Sequence, residues 1–261
     1  MNMRPKFEKL EDRILLDAEP TVTVDGPDAV NIGDQNVTYT LTFDNTSGDD
    51  TPGDPNDGDP GFKPFVDVIL PQGADGDDGI TFENATFLGT PLTPVELEFA
   101  PDGTVEHPFA VDNNGDPIVV TGTPGDTLLV FQLPYGSFAP NQAPVDIELT
   151  LDYSNLADLD VPLPIQARGG FESGNDPLDD PTNDPTILGT FDSLVSEQKV
   201  FNLTKLSDAA EEETATGPNF PRTYTLSLDV ATGQELDNIL IEDFLPNSIV
   251  YLGNLTVTGV D

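Results

Sequence analysis

The sequence contains no cysteine. That one absence removes disulfides, thiolate metal ligands and a cysteine nucleophile, and it leaves the compartment open, because exported bacterial proteins also fold without crosslinks. Basic residues are nearly as scarce: 9 Lys plus Arg stand against 48 Asp plus Glu, a formal net charge of -39. Such a surface repels phosphate backbones and anionic membranes and gathers cations, which excludes nucleic acid as a partner. It also repels itself, so a saline or calcium-containing environment is expected. Long apolar runs are missing as well. Nothing approaches the roughly 18 residues of a membrane-spanning segment. The N-terminal run Ile14-Leu15-Leu16 falls short of the roughly 7 to 15 apolar residues of a secretory signal.

Catalytic machinery is equally thin. Histidine occurs once, as His107 in VEHPF, where a lone residue ahead of a proline in a loop is expected at the surface. No Gly-x-Ser-x-Gly elbow, His-Glu-x-x-His helix or phosphate-cradling glycine loop is present. Carboxylate pairs abound, but nothing selects one pair for glycoside chemistry. The sequence therefore reads as that of a protein without enzymatic activity.

What is present is β sequence. At 261 residues with 36% apolar content, 15 Phe and 5 Tyr, the chain can fold and reads as two units. In Val37 to Phe43, Val37, Tyr39, Leu41 and Phe43 fall on one face and threonines on the other. Asp146 to Tyr153 alternates in the same way, and so does Thr223 to Val230. Further strand-like runs are Phe65 to Leu70, Ile80 to Leu88, Val95 to Phe99, Ile118 to Thr121 and Leu128 to Leu133, separated by Pro, Gly, Asn and Asp clusters. Many short strands without helices between them predict antiparallel sandwiches. Only Leu10 to Ala18 and Ser193 to Lys199 read as helix-capable.

A repeat is visible in outline. TYTLTFDN, VILPQG and ITFENATFLGT in the first half are echoed in order by TYTLSLDV, IEDFLPNS and IVYLGNLTVTG, about 185 residues later. The expected organisation is an N-terminal segment 1–20, a first β-sandwich 21–168 with Asp-rich loop insertions, an acidic connector 169–189, and an incomplete second β-sandwich 190–261.

Two motifs support a resemblance. LEDRILL (Leu10 to Leu16) resembles the LEPR-XLL motif found at the start of very large bacterial extracellular proteins; Leu10, Glu11, Arg13, Leu15 and Leu16 match, and Asp12 stands where that family has Pro. The β units resemble the repeats of domain of unknown function 11, through Gly33-Asp34, Thr38 to Asn45 and Leu70-Pro71 in the first and Thr223 to Leu228 and Leu245-Pro246 in the second. The resemblance implies all-β, tandem immunoglobulin-like sandwiches in a bacterial cell-surface or secreted protein, with no activity assigned. Residues 1–20 then read as a marker of exported giant proteins, or as an amphipathic helix packed on the first sandwich.

Calcium is the expected cofactor, because it takes six to eight oxygen ligands from carboxylates, amides and carbonyls on loops. Four clusters have that chemistry: Asp54, Asp57 and Asp59 in DDTPGDPNDGD; Asp75 and Asp77 in DGDD; Asp112, Asn114 and Asp116 in DNNGD; and Asn175, Asp176, Asp179, Asp180 and Asp184 in NDPLDDPTND. The third has the alternate spacing that opens a calcium loop but lacks the later Gly and Glu of an EF-hand. Each cluster also fits a plain acidic turn. In the connector, an ion would stiffen the hinge between sandwiches. Lys199 and Lys205, on the expected first strand of the second unit, have the chemistry for an amide crosslink to a core Asn or Asp, but read as solvent-facing. The partners expected are calcium ions, further copies or neighbouring repeats, and a glycan or surface partner bound by the long loops.

Overall fold

The computed structural model describes residues 18–48, 60–174, 186–208, 222–247 and 249–259. The LEDRILL segment, with its helix-capable stretch from Leu10, and the acidic runs 49–59 and 175–185 lie outside these residues. The described residues are all-β, with no helix. Strands β1 Pro20–Asp25, β2 Ala29–Asn31, β3 Val37–Asn45, β4 Gly61–Leu70, β5 Ile80–Phe87 and β6 Thr90–Pro91 come first. They are followed by β7 Val95–Glu98, β8 Thr104–Val111, β9 Pro117–Thr121, β10 Thr127–Gln132, β11 Ser137–Phe138 and β12 Val145–Tyr153. The remainder are β13 Pro164–Ser173, β14 Ile187–Leu188, β15 Asp192–Val195, β16 Glu197–Lys199, β17 Phe201–Ser207 and β18 Tyr224–Val230.

One sheet has the order β1-β3-β12-β5-β6, and the other has β14-β13-β4-β10-β7, with β15 also paired to β13 and β11 to β4. Taking β1, β3, β4, β5, β12, β13 and β15 as strands A to G gives the immunoglobulin-like division into A-B-E-D and G-F-C layers. The stretch between the fourth and fifth of these strands is an insertion. It crosses to the second sheet as β7 and β10 and extends the β8–β9 hairpin.

Alternation explains the core. Tyr39, Leu41 and Phe43 of β3 and Ile147, Leu149 and Leu151 of β12 are fully buried on the inner face of one sheet, against Val66 and Val68 of β4, Phe131 of β10 and Ile165 and Phe171 of β13. Phe43 meets Phe138 and Phe171 edge-on at 5.2 and 5.6 Å, an arrangement that adds to the roughly 1.5 to 3 kcal/mol each large side chain gains from burial. A second core lies on the outer face of the β14-β13-β4-β10-β7 sheet. Phe65, Ile69, Leu128 and Val130 point outward there and are covered by Phe99, Ala110 and Val120 of the insertion. Strand β4 is therefore buried on both faces, which is why FVDVIL reads as a nearly continuous apolar run.

Three expectations are corrected. Ser193 to Lys199 is not helix but β15 and β16. Its inward positions, Leu194, Ser196 and Gln198, do alternate with exposed Ser193, Val195 and Glu197, but two of the three are polar, so hydrophobic periodicity misses them. The run 169–189 is not a connector between sandwiches. Gly169 to Ser173 belongs to β13, and Ile187–Leu188 pairs with Gly170 and Phe171 of that same strand. The two glycines that open the expected connector are strand glycines required by close packing: a Cβ on Gly169 would lie 2.9 Å from the Phe43 ring, and one on Gly170 would lie 2.2 Å from the Phe65 ring on the other face. Finally, of the second unit's three echoed segments, only TYTLSLDV forms a described strand, β18, paired antiparallel with β17. Strands need a paired edge and a covered face, and among the described residues the apolar side chains that follow, such as Leu240, Phe244 and Leu252, are exposed.

Candidate functional site

The lone histidine is not at the surface. His107 lies in β8 and is buried with Asp67 of β4, both side chains having 0% exposure. Its Nδ1 accepts backbone hydrogen bonds from Phe109 N (3.1 Å) and Ala110 N (2.7 Å), so the ring hydrogen sits on Nε2 and is donated to Asp67 Oδ1 at 2.8 Å. The other carboxylate oxygen, Oδ2, accepts from Arg168 Nε at 2.8 Å. Arg168 is the register partner of Asp67 on β13, and its guanidinium lies over the Phe191 ring at 4.5 Å. A general base needs a free nitrogen within reach of substrate. Here both ring nitrogens are engaged and the ring is sealed, so the trio works as a fastener: it pins the β8–β9 hairpin to the sheet and neutralises a buried carboxylate. The legible signal was an acid inside an apolar run, FVDVIL, facing one of the few arginines.

The acidic turns hold themselves together. Asp112 Oδ1 accepts from Asn114 N (2.8 Å) and Asp116 N (3.0 Å), and Asn114 Nδ2 donates to Asp112 Oδ2 (3.1 Å). The backbone amides of Asn114 and then Asp116 hold the Asp112 carboxyl below the usual carboxylate range. In the DGDD turn, buried Asp78 accepts from Ala74 N and Asp75 N, while Asp75 and Asp77 are exposed. Among the described residues, no three acidic or histidine side chains converge on one point, and the Asp112 oxygens are already turned onto the loop's own donors. Asp54, Asp57, Asp59, Asn175, Asp176, Asp179, Asp180 and Asp184 lie outside the described residues. Lys199 and Lys205 pair with Glu197 (3.3 Å) and Asp243 (2.6 Å) through partly exposed side chains.

The chain passes from the first unit to the second with no loop: only Val200 separates β16 from β17. Ala231 N donates to Val200 O (2.8 Å), Asn31 Nδ2 donates to Asp229 Oδ2 (3.0 Å), and Ala231 is buried in the first unit's core cluster. Beside this junction is a cleft of about 630 Å³ lined by Gln35, Gln72, Asp77, Glu98, Asp152 and Asn155 of the first unit and by Thr232 of the second. Its walls carry amides, carboxylates and hydroxyls and no basic side chain, which suits a neutral polyhydroxyl ligand better than an anion. The cleft is not legible in the sequence, because its lining comes from six separated segments. Above it, burial raises the phenol pKa values of Tyr39 and Tyr153, whose hydroxyls meet at 2.6 Å. Among the described residues, no helix is long and apolar enough to cross a membrane.

No protein-family model matches the chain, and no curated protein does either. Solved structures with similar architecture include the enzyme AvmM, which catalyses macrocyclization in alchivemycin A biosynthesis, at 12% identity and a TM-score of 0.37, covering 70% of this chain and 89% of that one. The full-length major pilin SpaD of Corynebacterium diphtheriae is similar at 16% identity and a TM-score of 0.31, covering 73% of this chain and 36% of the pilin. A C-terminal fragment of the major pilin GBS80 of Streptococcus agalactiae is similar at 10% identity and a TM-score of 0.31, covering 73% of this chain and 57% of the fragment. The chain thus spans about a third of SpaD and a little over half of the GBS80 fragment.

Proposed function

We propose that this chain is a structural and interaction component of a bacterial cell-surface or secreted protein, in which β units joined in series act as a spacer for adhesion or matrix assembly, rather than an enzyme. The observation that carries the reading is the junction: one residue between β16 and β17, reinforced by the Val200–Ala231 and Asn31–Asp229 hydrogen bonds, is the construction of a stiff rod rather than of domains on a tether. The charge of -39 keeps such rods soluble and apart. Calcium belongs to the proposal as a counter-ion on the acidic loops, where it would offset local repulsion.

Calorimetric melting with and without calcium tests the ion. One site at a hundredfold excess over Kd adds about 2.7 kcal/mol, or about 5 to 11 °C for a domain this size; an unchanged melting point removes calcium from the proposal. Small-angle scattering tests the rod: a maximum dimension that matches the two units in line supports it, and a distribution of bent forms overturns it. The cleft at the junction favours one second reading, a glycan-binding module. Neutral-glycan array binding that is lost in Asn155→Ala would establish it.

A further inference from the structure

We propose that the first sandwich bears tension along the chain, and that the parallel pair β2–β16 is the element that bears it. The inference deepens the spacer reading and rests on it. Every other strand pair among the described residues is antiparallel. Here Ala29, Val30 and Asn31 run alongside Glu197, Gln198 and Lys199 in the same direction. The pairing is extended at both ends, by Glu197 N donating to Asp28 O (2.9 Å) and Ile32 N donating to Lys199 O (2.9 Å). Strand β1, paired antiparallel with β3, precedes β2 in the chain, so tension from the N-terminal side reaches β2 once β1 has peeled away, and β16 is where the chain leaves the sandwich.

That topology decides how load is shared. Tension through the chain pulls β2 toward its N-terminal end and β16 toward its C-terminal end, so two parallel strands must slide past each other. All the bonds across the pair are then strained together, whereas strands pulled apart from one end open one bond at a time.

Side chains lock the same strand from inside. Ser196, with 0% exposure, donates to Pro27 O at 2.7 Å. Its oxygen then accepts from Tyr39 at 2.8 Å, and Tyr39 in turn accepts from Tyr153. The relay therefore has one direction, Tyr153 to Tyr39 to Ser196 to Pro27, and it ties the departing strand to β3, β12 and the turn before β2. Gly26 lets that turn lie on the Tyr39 ring, where a Cβ would come within 2.2 Å. Being buried, these bonds are not open to competition from water while load is applied.

Single-molecule force spectroscopy on the full chain tests this, and the absence of native cysteine allows handles at chosen positions. With handles at the two chain ends, the first sandwich is loaded in the sliding geometry. With handles at Gln35→Cys, in the exposed turn after β2, and at the C-terminal end, the same pair is loaded at its matching ends and opens like a zipper. The sliding geometry is expected to rupture at a force roughly twofold or more higher; equal forces in the two geometries overturn the clamp. Release of about 60 nm of chain with end handles, from about 180 residues, or about 55 nm with the Gln35 handle, from about 165, at roughly 3.3 to 3.6 Å each, identifies the first sandwich and shows that each variant is folded. Ser196→Ala is expected to lower the sliding force and leave the zipper force in place; an unchanged sliding force removes the hydroxyl relay from the clamp. The outcome is independent of the spacer test: equal forces in a chain that scatters as a rod remove only the clamp, and bent scattering with unequal forces removes only the spacer.

Discussion

Substituting Asp67 by alanine tests the buried fastener directly. The carboxylate is fully buried and holds two donors at 2.8 Å, His107 Nε2 and Arg168 Nε. Its removal leaves a guanidinium with 12% of its side chain exposed and only the Phe191 ring facing it. Breaking one side of a buried charge pair costs about 3 to 5 kcal/mol, and a melting point shift of 2 to 4 °C per kcal/mol converts that to about 6 to 20 °C. The double substitution Asp67→Leu/Arg168→Met removes the stranded charge as well. It should recover most of the loss, leaving about 1 to 3 kcal/mol for the orphaned His107 Nε2–H. Urea melts followed by near-ultraviolet circular dichroism of the 5 tyrosines give the stabilities. Amide exchange at Phe109 and Ala110, which donate to His107 Nδ1, reports whether the hairpin has lifted. A loss below about 1 kcal/mol for Asp67→Ala, or a double variant no better than the single, would refute the charge-pair reasoning.

Gly170→Ala should cost about 1 to 3 kcal/mol by overpacking, because its Cβ would fall 2.2 Å from Phe65, while Gly136→Ala, with nothing within 4 Å, should be near neutral; paired urea melts decide. Burial raises the Asp126 carboxyl pKa above 3.8 despite the hydrogen bond from Gln72 N. The folded state therefore holds its proton more tightly, and the stability this gives below about pH 3.8 is lost as pH rises through the folded value. Asp126→Asn, which keeps an acceptor for Gln72, should raise the melting temperature at pH 7 and not at pH 3; a fall at pH 7 would contradict this. Raising sodium chloride from 0.01 to 0.5 M, which shortens the screening length from about 30 Å to a few ångströms, should raise the melting point by reducing self-repulsion at a net charge of -39; a fall on adding salt would show that attractive surface pairs dominate.

The sheets were legible where inward side chains are apolar. Tyr39, Leu41 and Phe43, and likewise Ile147, Leu149 and Leu151, occupy the inner face that alternation assigns them. Legibility failed where the inward positions are polar or missing. Ser196 and Gln198 carry the inward face of the departing strand, so Ser193 to Lys199 read as helix-capable although its step is two. Gly169 and Gly170 have no side chain to alternate, and they read as the start of a connector although rings from both cores occupy their places. His107 reads as a surface residue because it stands alone ahead of a proline, and its charged partner, Asp67, is 40 residues away. The acidic turns illustrate a different limit: composition records oxygen donors but not their direction, and in DNNGD the Asp112 oxygens point at the loop's own amides. The junction cleft was invisible for the same reason, since no single segment contains it.

The polar residues that enter the interior fall where the chain must be joined to something that sequence order does not supply. Asp67 sits on the outward face of β4 and fastens the inserted hairpin through His107, and it does so beside Phe65 and Ile69, which cover the same face with apolar contact. Apolar contact holds the hairpin without fixing its register as sharply, because it is non-directional. A hydrogen-bonded carboxylate has one arrangement that satisfies it. Ser196 plays the corresponding part at the departing strand, where β16 has only three residues and too little apolar surface to fix its position. Both positions place a short, satisfied polar contact where packing area is small. Asn31 is the third such residue: it is buried, and its Nδ2 donates to Asp229 Oδ2 across the junction, so it ties the first unit to the strand of the second that lies beside it.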